Sequence, residues 1–284
     1  MLKQIFSKKV IVKLRGFAAF AVKTCFINFQ CSTLLAVASC STKPSNHAGM
    51  HPRLRYFPQQ IPLVFLFSLF TTLGLQAQDY PLLYENDFEH GMSMQDFDFT
   101  DPSAWRLSDT LDNQSMELFG KSQYAPRVRS PLNIAMLNKV KVGNFVLEVK
   151  LKQTGREYGH RDMCLFFAMK DPANFYYVHM ASIADPNAHN IFIVNDEPRR
   201  NIAKKTTDGI RWGKAWNTVR IERNVETGTI KVYFNDMNEP IMEAEDTHFN
   251  AGYIGFGSFD DTGMVDNIKL WGEVAGGKTD FFRQ

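Results

Sequence analysis

From Asp79 onward the chain alternates apolar and polar residues with a period of two, in short runs broken by turn residues. No other feature constrains the fold as tightly, because successive side chains on a strand point to opposite faces. In the run from Phe145 to Leu151, Phe145, Leu147, Val149 and Leu151 share one side, while Glu148 and Lys150 share the other. Trp216 to Arg223 repeats the pattern with Val219 and Ile221 inward. Gly228 to Asn235 follows across Asn224-Val225-Glu226-Thr227, which predicts a hairpin. Further strands are expected near 81–86, 104–108, 115–119, 132–137, 163–169, 174–181, 190–195, 199–204, 240–244, 252–258 and 264–271. The segments 163–169 and 174–181 are apolar on both faces, which predicts central strands joined by the turn Lys170-Asp171-Pro172-Ala173. Helical periodicity is confined to a short helix expected within 92–99. About a dozen short strands without helices predict two packed antiparallel sheets, an all-β jelly-roll sandwich. The 24 Phe and 9 Tyr fit this, since flat side chains pack well on a pleated surface. One domain is expected over 79–273, with 274–284 as a flexible tail.

The segment before this body reads as a leader. Residues 61–75 (IPLVFLFSLFTTLGL) are uncharged and apolar, and shorter than the roughly 20 residues a spanning helix needs. Arg53 and Arg55 precede them and Gln76-Ala77-Gln78 follows, the layout of a secretory signal peptide over 50–78. Cleavage near Ala77 leaves a mature chain with no membrane span. Met50 stands directly before this unit as an alternative translation start, which makes 1–49 upstream or leader sequence. That stretch ends in Leu35-Ala36-Val37-Ala38-Ser39-Cys40, which resembles a bacterial lipobox with Cys40 as a lipid anchor. The expected location is secreted or periplasmic, the alternative being an outer-membrane or cell-surface lipoprotein.

The net charge of +2 hides an asymmetry. Residues 1–78 hold nine of the 32 Lys and Arg and none of the 30 Asp and Glu, so the body carries 23 basic against 30 acidic residues. An acidic body excludes nucleic acid as partner, since phosphates need a cationic face. Of Cys25, Cys31, Cys40 and Cys164, only Cys164 lies in the body, which excludes a disulfide within the processed chain. Its setting, Met163-Cys164-Leu165-Phe166-Phe167, predicts a buried packing thiol.

The order of landmarks along the body resembles the concanavalin A-like lectin/glucanase superfamily. These are Asn86-Asp87-Phe88-Glu89-His90-Gly91, then Trp105, then the alternating strand from Gly143 to Val149. Trp216-Asn217-Thr218-Val219-Arg220-Ile221 pairs with Ile230 to Asn235, and Gly252-Tyr253-Ile254-Gly255-Phe256-Gly257 precedes Val265 to Leu270. The nearest likeness is to 3-keto-disaccharide hydrolase-like and laminin G-like domains of secreted bacterial proteins. The resemblance implies that the closing strand lies beside the first, and that the partner is a poly- or oligosaccharide met on the concave sheet. It also implies a structural Ca²⁺ between the first and last strands, held by Glu89, the Gly91 carbonyl and Asp266. The Glu-x-Asp-x-x-Glu motif of laminarinase-type members is absent, so the resemblance names sugar but no reaction.

Two polar clusters are candidates for a site. Arg156-Glu157-Tyr158-Gly159-His160-Arg161-Asp162 gathers charge at the mouth of an apolar strand. There His160 could move a proton, Arg161 could fork onto a carboxylate or sugar hydroxyls, and Asp162 could orient His160 or act as a base. In Tyr176-Tyr177-Val178-His179, Tyr177 and His179 share a face. His189 and Asn190 open the next strand, near Asp185. His179, His189 and Asp185 could bind a transition metal or supply acid, base and positioning groups. Trp212 and Tyr158 fall in loops, where flat rings could stack on a sugar or cap the core. Asp260-Asp261, within a Gly-rich segment, reads as a hairpin turn or a Ca²⁺ contact. Two enzyme readings follow: a glycoside hydrolase with Asp162 and Asp185 as its carboxylates, or a polysaccharide lyase using His179, Tyr177 and Arg161. The non-catalytic readings are a carbohydrate-binding or adhesion module, and a structural domain that touches no sugar.

Overall fold

The computed structural model describes residues 80–90, 93–110 and 113–276. The expected leader over 1–78, Cys40 within it, Gly91 and the chain beyond 276 lie outside the described residues. The described chain forms fifteen strands: β1 (Leu82–Asn86), β2 (Phe97–Phe99), β3 (Trp105–Thr110), β4 (Asn113–Leu118), β5 (Asn133–Gln153), β6 (Asp162–Asp171), β7 (Asn174–Ala181), β8 (Asn190–Asn195), β9 (Arg200–Asn201), β10 (Ala203–Thr206), β11 (Asn217–Arg223), β12 (Thr229–Phe234), β13 (Met242–Glu245), β14 (Gly252–Ser258) and β15 (Gly263–Val274). Among the described residues, helix is limited to two 3₁₀ turns, Ser93–Asp96 and Pro102–Ala104. The first falls where a short helix was expected. Among the described residues no helix is long and apolar enough to cross a membrane.

All strand pairs are antiparallel, and they form two layers hinged on β5. The first half of β5, Asn133 to Leu137, pairs with β14 on one side and β2 on the other. Beyond β14 lie β6, β7, β8 and β9 in turn. The second half, Phe145 to Gln153, pairs with β11 and β15, which lead to β12, β13 and β10 on one side and to β1, β4 and β3 on the other. Val142 pairs with both Gly252 and Val274, so the chain crosses between layers at this point. The crossing is tight. A Cβ at Gly252 would meet the Ala168 carbonyl carbon at 2.1 Å, and Ala168 itself has a φ of 50°. β6 changes register with both neighbours here.

The period-two pattern explains the core. Phe145, Leu147, Val149 and Leu151 of the second layer bury against Leu165, Phe167, Tyr176 and Val178 of the first. The Phe145 and Phe167 rings meet edge-on at 5.9 Å across the interface. As expected, β6 and β7 are central strands, and β15 closes beside β1 with Glu85 opposite Lys269. The expected strands at 132–137 and 145–151 are one continuous strand, because β14 and β15 both pair with Val142 between them. The chain is therefore an all-β antiparallel sandwich, with a second apolar cluster on the outside of the first layer. It comprises Ile134, Met136, Cys164, Phe166, Met169, Phe175, Tyr177, Phe192, Val194 and Tyr253.

Candidate functional site

Register decides which of the expected residues meet. Cys164 lies opposite His179, and His179 opposite Asn190, so these three share the outer face of the first layer. Asp162, two residues from Cys164, joins them there. His179 Nε2 lies 3.2 Å from Asp162 Oδ2. The same oxygen accepts the Phe259 N–H at 2.9 Å and the Cys164 S–H at 3.1 Å. His160 instead pairs with Asp185, Nε2 to Oδ2 at 2.7 Å. The two histidines and two aspartates thus pair crosswise to the expectation that Asp162 orients His160. One pair is buried and the other stands at the surface.

Burial redefines several expected roles. Asp162 is 1% exposed and His179 4%. Phe259 and Arg199 cover this face: the Arg199 guanidinium sits 4.7 Å from the Phe192 ring and 4.6 Å from the Phe259 ring. Tyr177 is stacked between Phe166 and Phe192, and its hydroxyl accepts from Arg199 Nη1 at 2.8 Å. Asn190 is also buried, and its amide donates to the carbonyls of Asp185 and Ala188, fixing the preceding loop. Arg161 forks inward onto Gln153, Nε to Oε1 at 2.6 Å and Nη2 to the carbonyl at 3.0 Å. Trp212 is 2% exposed, packs edge-on against Phe234 and donates its indole N–H to the Arg161 carbonyl. It caps the core and leaves no ring face for a sugar. His189 turns away from its neighbours. Its Nδ1 accepts from the Ala181 N–H, and Nε2 lies 3.0 Å from Thr207 Oγ1. The expected metal set of His179, His189 and Asp185 is therefore divided among three environments.

Electrostatics agree with these positions. Burial pushes Asp162 up, but His179 and the hydrogen bonds from Phe259 and Cys164 outweigh it and hold the carboxyl below its ordinary range. Burial and the Asp162 charge push the Cys164 thiol well up, and the burial is what its apolar setting predicted. Burial lowers His189 to about 4. Burial also raises the phenols of Tyr158 and Tyr177. A proton-abstracting tyrosine needs the opposite shift. With His179, Tyr177 and Arg161 buried, the lyase set has no access to a polymer. The hydrolase pair fails similarly, since a buried Asp162 cannot flank a scissile bond beside Asp185.

Among the described residues, open clefts lie at the two ends of the β6–β7 pair. The first, of about 720 Å³, is lined by Glu157, Tyr158, Ile183, Asp208, Arg211 and their neighbours. It belongs to the expected 156–162 cluster, and the His160–Asp185 pair is formed by residues adjoining its lining. Gly209 is needed in its wall, with a φ of 132° and a Cβ that would fall 2.2 Å from the Ser182 carbonyl oxygen. Tyr158 is 36% exposed. Its hydroxyl donates to Asp261 Oδ2 at 2.7 Å, and the Arg156 guanidinium lies 5.0 Å from its ring centre.

The second cleft, of about 770 Å³, is lined by Phe99, Thr100, Tyr124, Arg127, Asp171, Asn174 and Asp196 with the short residues between them. The Asn174 amide nitrogen donates to Asp171 at 3.0 and 2.9 Å and to Asp196 Oδ1 at 3.3 Å. Arg127 engages the same Asp196 oxygen. Sequence reasoning missed this array. Asp171 and Asn174 flank a turn, and no local signal brings Arg127 or Asp196 to them.

Of the Ca²⁺ ligands the resemblance implies, Glu89 and Asp266 are described and Gly91 lies outside the described residues. Glu89 accepts the Gln114 N–H at 2.7 Å, while Asp266 accepts from Asn113 at 3.3 Å and from the Asn267 amide and N–H. Asp260 and Asp261 occupy the turn between β14 and β15, where Asp261 Oδ2 also accepts the Asp162 N–H at 3.0 Å.

No family model and no curated protein matches the chain. Among solved structures it is similar to the carbohydrate-binding module CBM66 from Bacillus subtilis, with 17% identity and a TM-score of 0.44 over 62% of this chain and 95% of that one. It is similar to a Bacillus subtilis protein of unknown function with a galectin-like fold, with 14% identity and a TM-score of 0.49 over 69% and 97% of the two chains. It is also similar to lectin I-B4 from Griffonia simplicifolia, with 14% identity and a TM-score of 0.42 over 65% and 95%. The all-β antiparallel sandwich expected from the sequence is the architecture that the strand order displays.

Proposed function

We propose that this chain is an exported carbohydrate-binding domain whose ligand occupies the cleft between Tyr124–Arg127 and the β6–β7 turn. The observation that carries the reading is the array of planar polar groups in that cleft. Asp171, Asn174, Asp196 and Arg127 converge on one another while remaining open to solvent. Carboxylate, amide and guanidinium edges present paired donors and acceptors that match vicinal hydroxyls. Phe99 and Tyr124 in the lining offer flat apolar surface for the C–H face of a sugar ring. A volume of about 770 Å³ falls within the roughly 300–1,000 Å³ of small-ligand sites. Glycan-array screening followed by calorimetry tests this. The wild type is expected to bind at least one glycan, and Asn174→Ala or Asp196→Ala to weaken binding by about tenfold or more. Wild-type protein that binds no glycan, or variants that bind as well as wild type, would refute the cleft.

A second reading rests on the 2.7 Å His160–Asp185 pair. Placed at the surface, it suits proton transfer in a glycoside hydrolase or lyase working at the Tyr158 cleft. Turnover of a polysaccharide that His160→Ala abolishes would establish this reading. Binding without turnover would leave the first.

A further inference from the structure

The buried Asp162–Cys164–His179 cluster contains a conflict of lone pairs. One ligand atom from each residue lies within 4.8 Å of the other two. His179 Nδ1 lies 3.2 Å from the Asn187 carbonyl oxygen, which can only accept, so Nδ1 carries the proton. In the neutral ring Nε2 then presents a lone pair, and it faces the Asp162 carboxylate at 3.2 Å. The contact is not aligned as a hydrogen bond: among the described residues, both His179 Nε2 and Asp162 Oδ1 are buried polar atoms without a hydrogen-bond partner. Two acceptors turned toward each other in a dry site are unfavourable unless a positive charge lies between them.

We propose that Asp162, Cys164 and His179 form a structural zinc site that ties β6 to β7. The donors are the nitrogen, sulfur and oxygen that zinc takes in tetrahedral sites. Ligands about 2.0–2.3 Å from a tetrahedral ion stand roughly 3.3–3.8 Å apart. The separations of 3.1 Å (Cys164 to Asp162) and 3.2 Å (His179 to Asp162) need only small adjustments to reach that range. Asp162 would bind through both oxygens, which gives its orphaned Oδ1 a partner and, with the short bite of a carboxylate, makes the four donors a distorted tetrahedron. The Nδ1–H bond to the Asn187 carbonyl is the outer contact that sets the tautomer and aim of a metal-bound histidine. Binding replaces the Cys164 S–H proton by the metal, and the proton leaves to solvent. With every ligand buried, the ion enters as the layer closes and has no substrate position. This site is independent of the carbohydrate cleft.

The test is metal analysis of the tag-free protein, refolded with and without Zn²⁺ or Co²⁺. The proposal expects one zinc per chain, a melting temperature that falls on chelation, and a near-ultraviolet thiolate-to-cobalt band. Cys164→Ser should remove that band while Cys25, Cys31 and Cys40 remain, and His179→Asn should lower zinc affinity by about 100-fold or more. NMR of the His179 ring gives a readout that does not depend on the variants folding. A metal-bound Nε2 supports the site. Protons on both nitrogens, or a zinc content and melting temperature indifferent to added metal, would overturn it in favour of an imidazolium–carboxylate pair.

Discussion

On the outside of the second layer, Glu148, Arg220, Lys205 and Glu243 pair across strands in contact with water. On the outside of the first, Phe166, Tyr177 and Phe192 stack in a row with almost no exposure, beside one buried carboxylate and one buried imidazole. Both surfaces are faces of antiparallel strands built by the same alternation. They differ in cover, because Phe259 and Arg199 close over the first layer only. Where water is present, a charge keeps its solvation with or without a partner. Where it is excluded, each polar atom depends on one particular neighbour.

That contrast is sharpened first at Asp162. Replacing it with Ala should cost about 3 kcal/mol or more in chemical denaturation, since the Phe259 N–H and Cys164 S–H lose their acceptor and His179 its carboxylate neighbour in a buried site. A loss below about 1 kcal/mol would make the covered face behave like the solvated one. Tyr177→Phe should follow, at about 1–3 kcal/mol, because Arg199 loses its acceptor beneath the cover.

The pH dependence of stability offers a subtler break. His189 sits at about 4, below its unfolded value of 6.5, so its contribution is present above pH 6.5 and is lost as pH falls toward 4. Asp261 is raised by burial to about 6 from 3.8, so its contribution is present below pH 3.8 and is lost as pH rises toward 6. The two trends oppose each other across about pH 4–6. Denaturation of His189→Gln over that range should leave a stability that falls with rising pH, and Asp261→Asn one that rises. Profiles parallel to wild type would contradict both assignments. The smallest effect belongs to the solvated face, where Lys205→Ala or Arg220→Ala should change stability by no more than about 1 kcal/mol.

The sandwich was legible because alternation and turn chemistry are local. The expected 174–181, 190–195 and 252–258 coincide with β7, β8 and β14. The continuity of β5 was not legible: Asn138 to Asn144 holds two Lys, two Asn and a Gly, and it is strand only because β14 and β15 flank it. For the site, the 156–162 cluster was visible as a concentration of charge, but the partners were not. The turn expected at 170–173 already sets Cys164 opposite His179, so period two alone could have placed Asp162 beside that pair. What sequence could not give was the cover. Phe259 lies 80 positions beyond His179 in the chain, and nothing local to either announces that their rings approach to 6.2 Å. The Arg127–Asp196 contact is equally non-local.

The shared strand β5 has a consequence for how the molecule comes apart. Its two halves serve as the spine of both layers, so melting either layer strips hydrogen-bond partners from the other. Amide exchange along Asn133–Gln153 should therefore report one cooperative opening, with no separate release of either sheet. Folding must also bring Leu82 to Trp271 before the spine is closed on both sides, a long search that sets a slow pace for assembly.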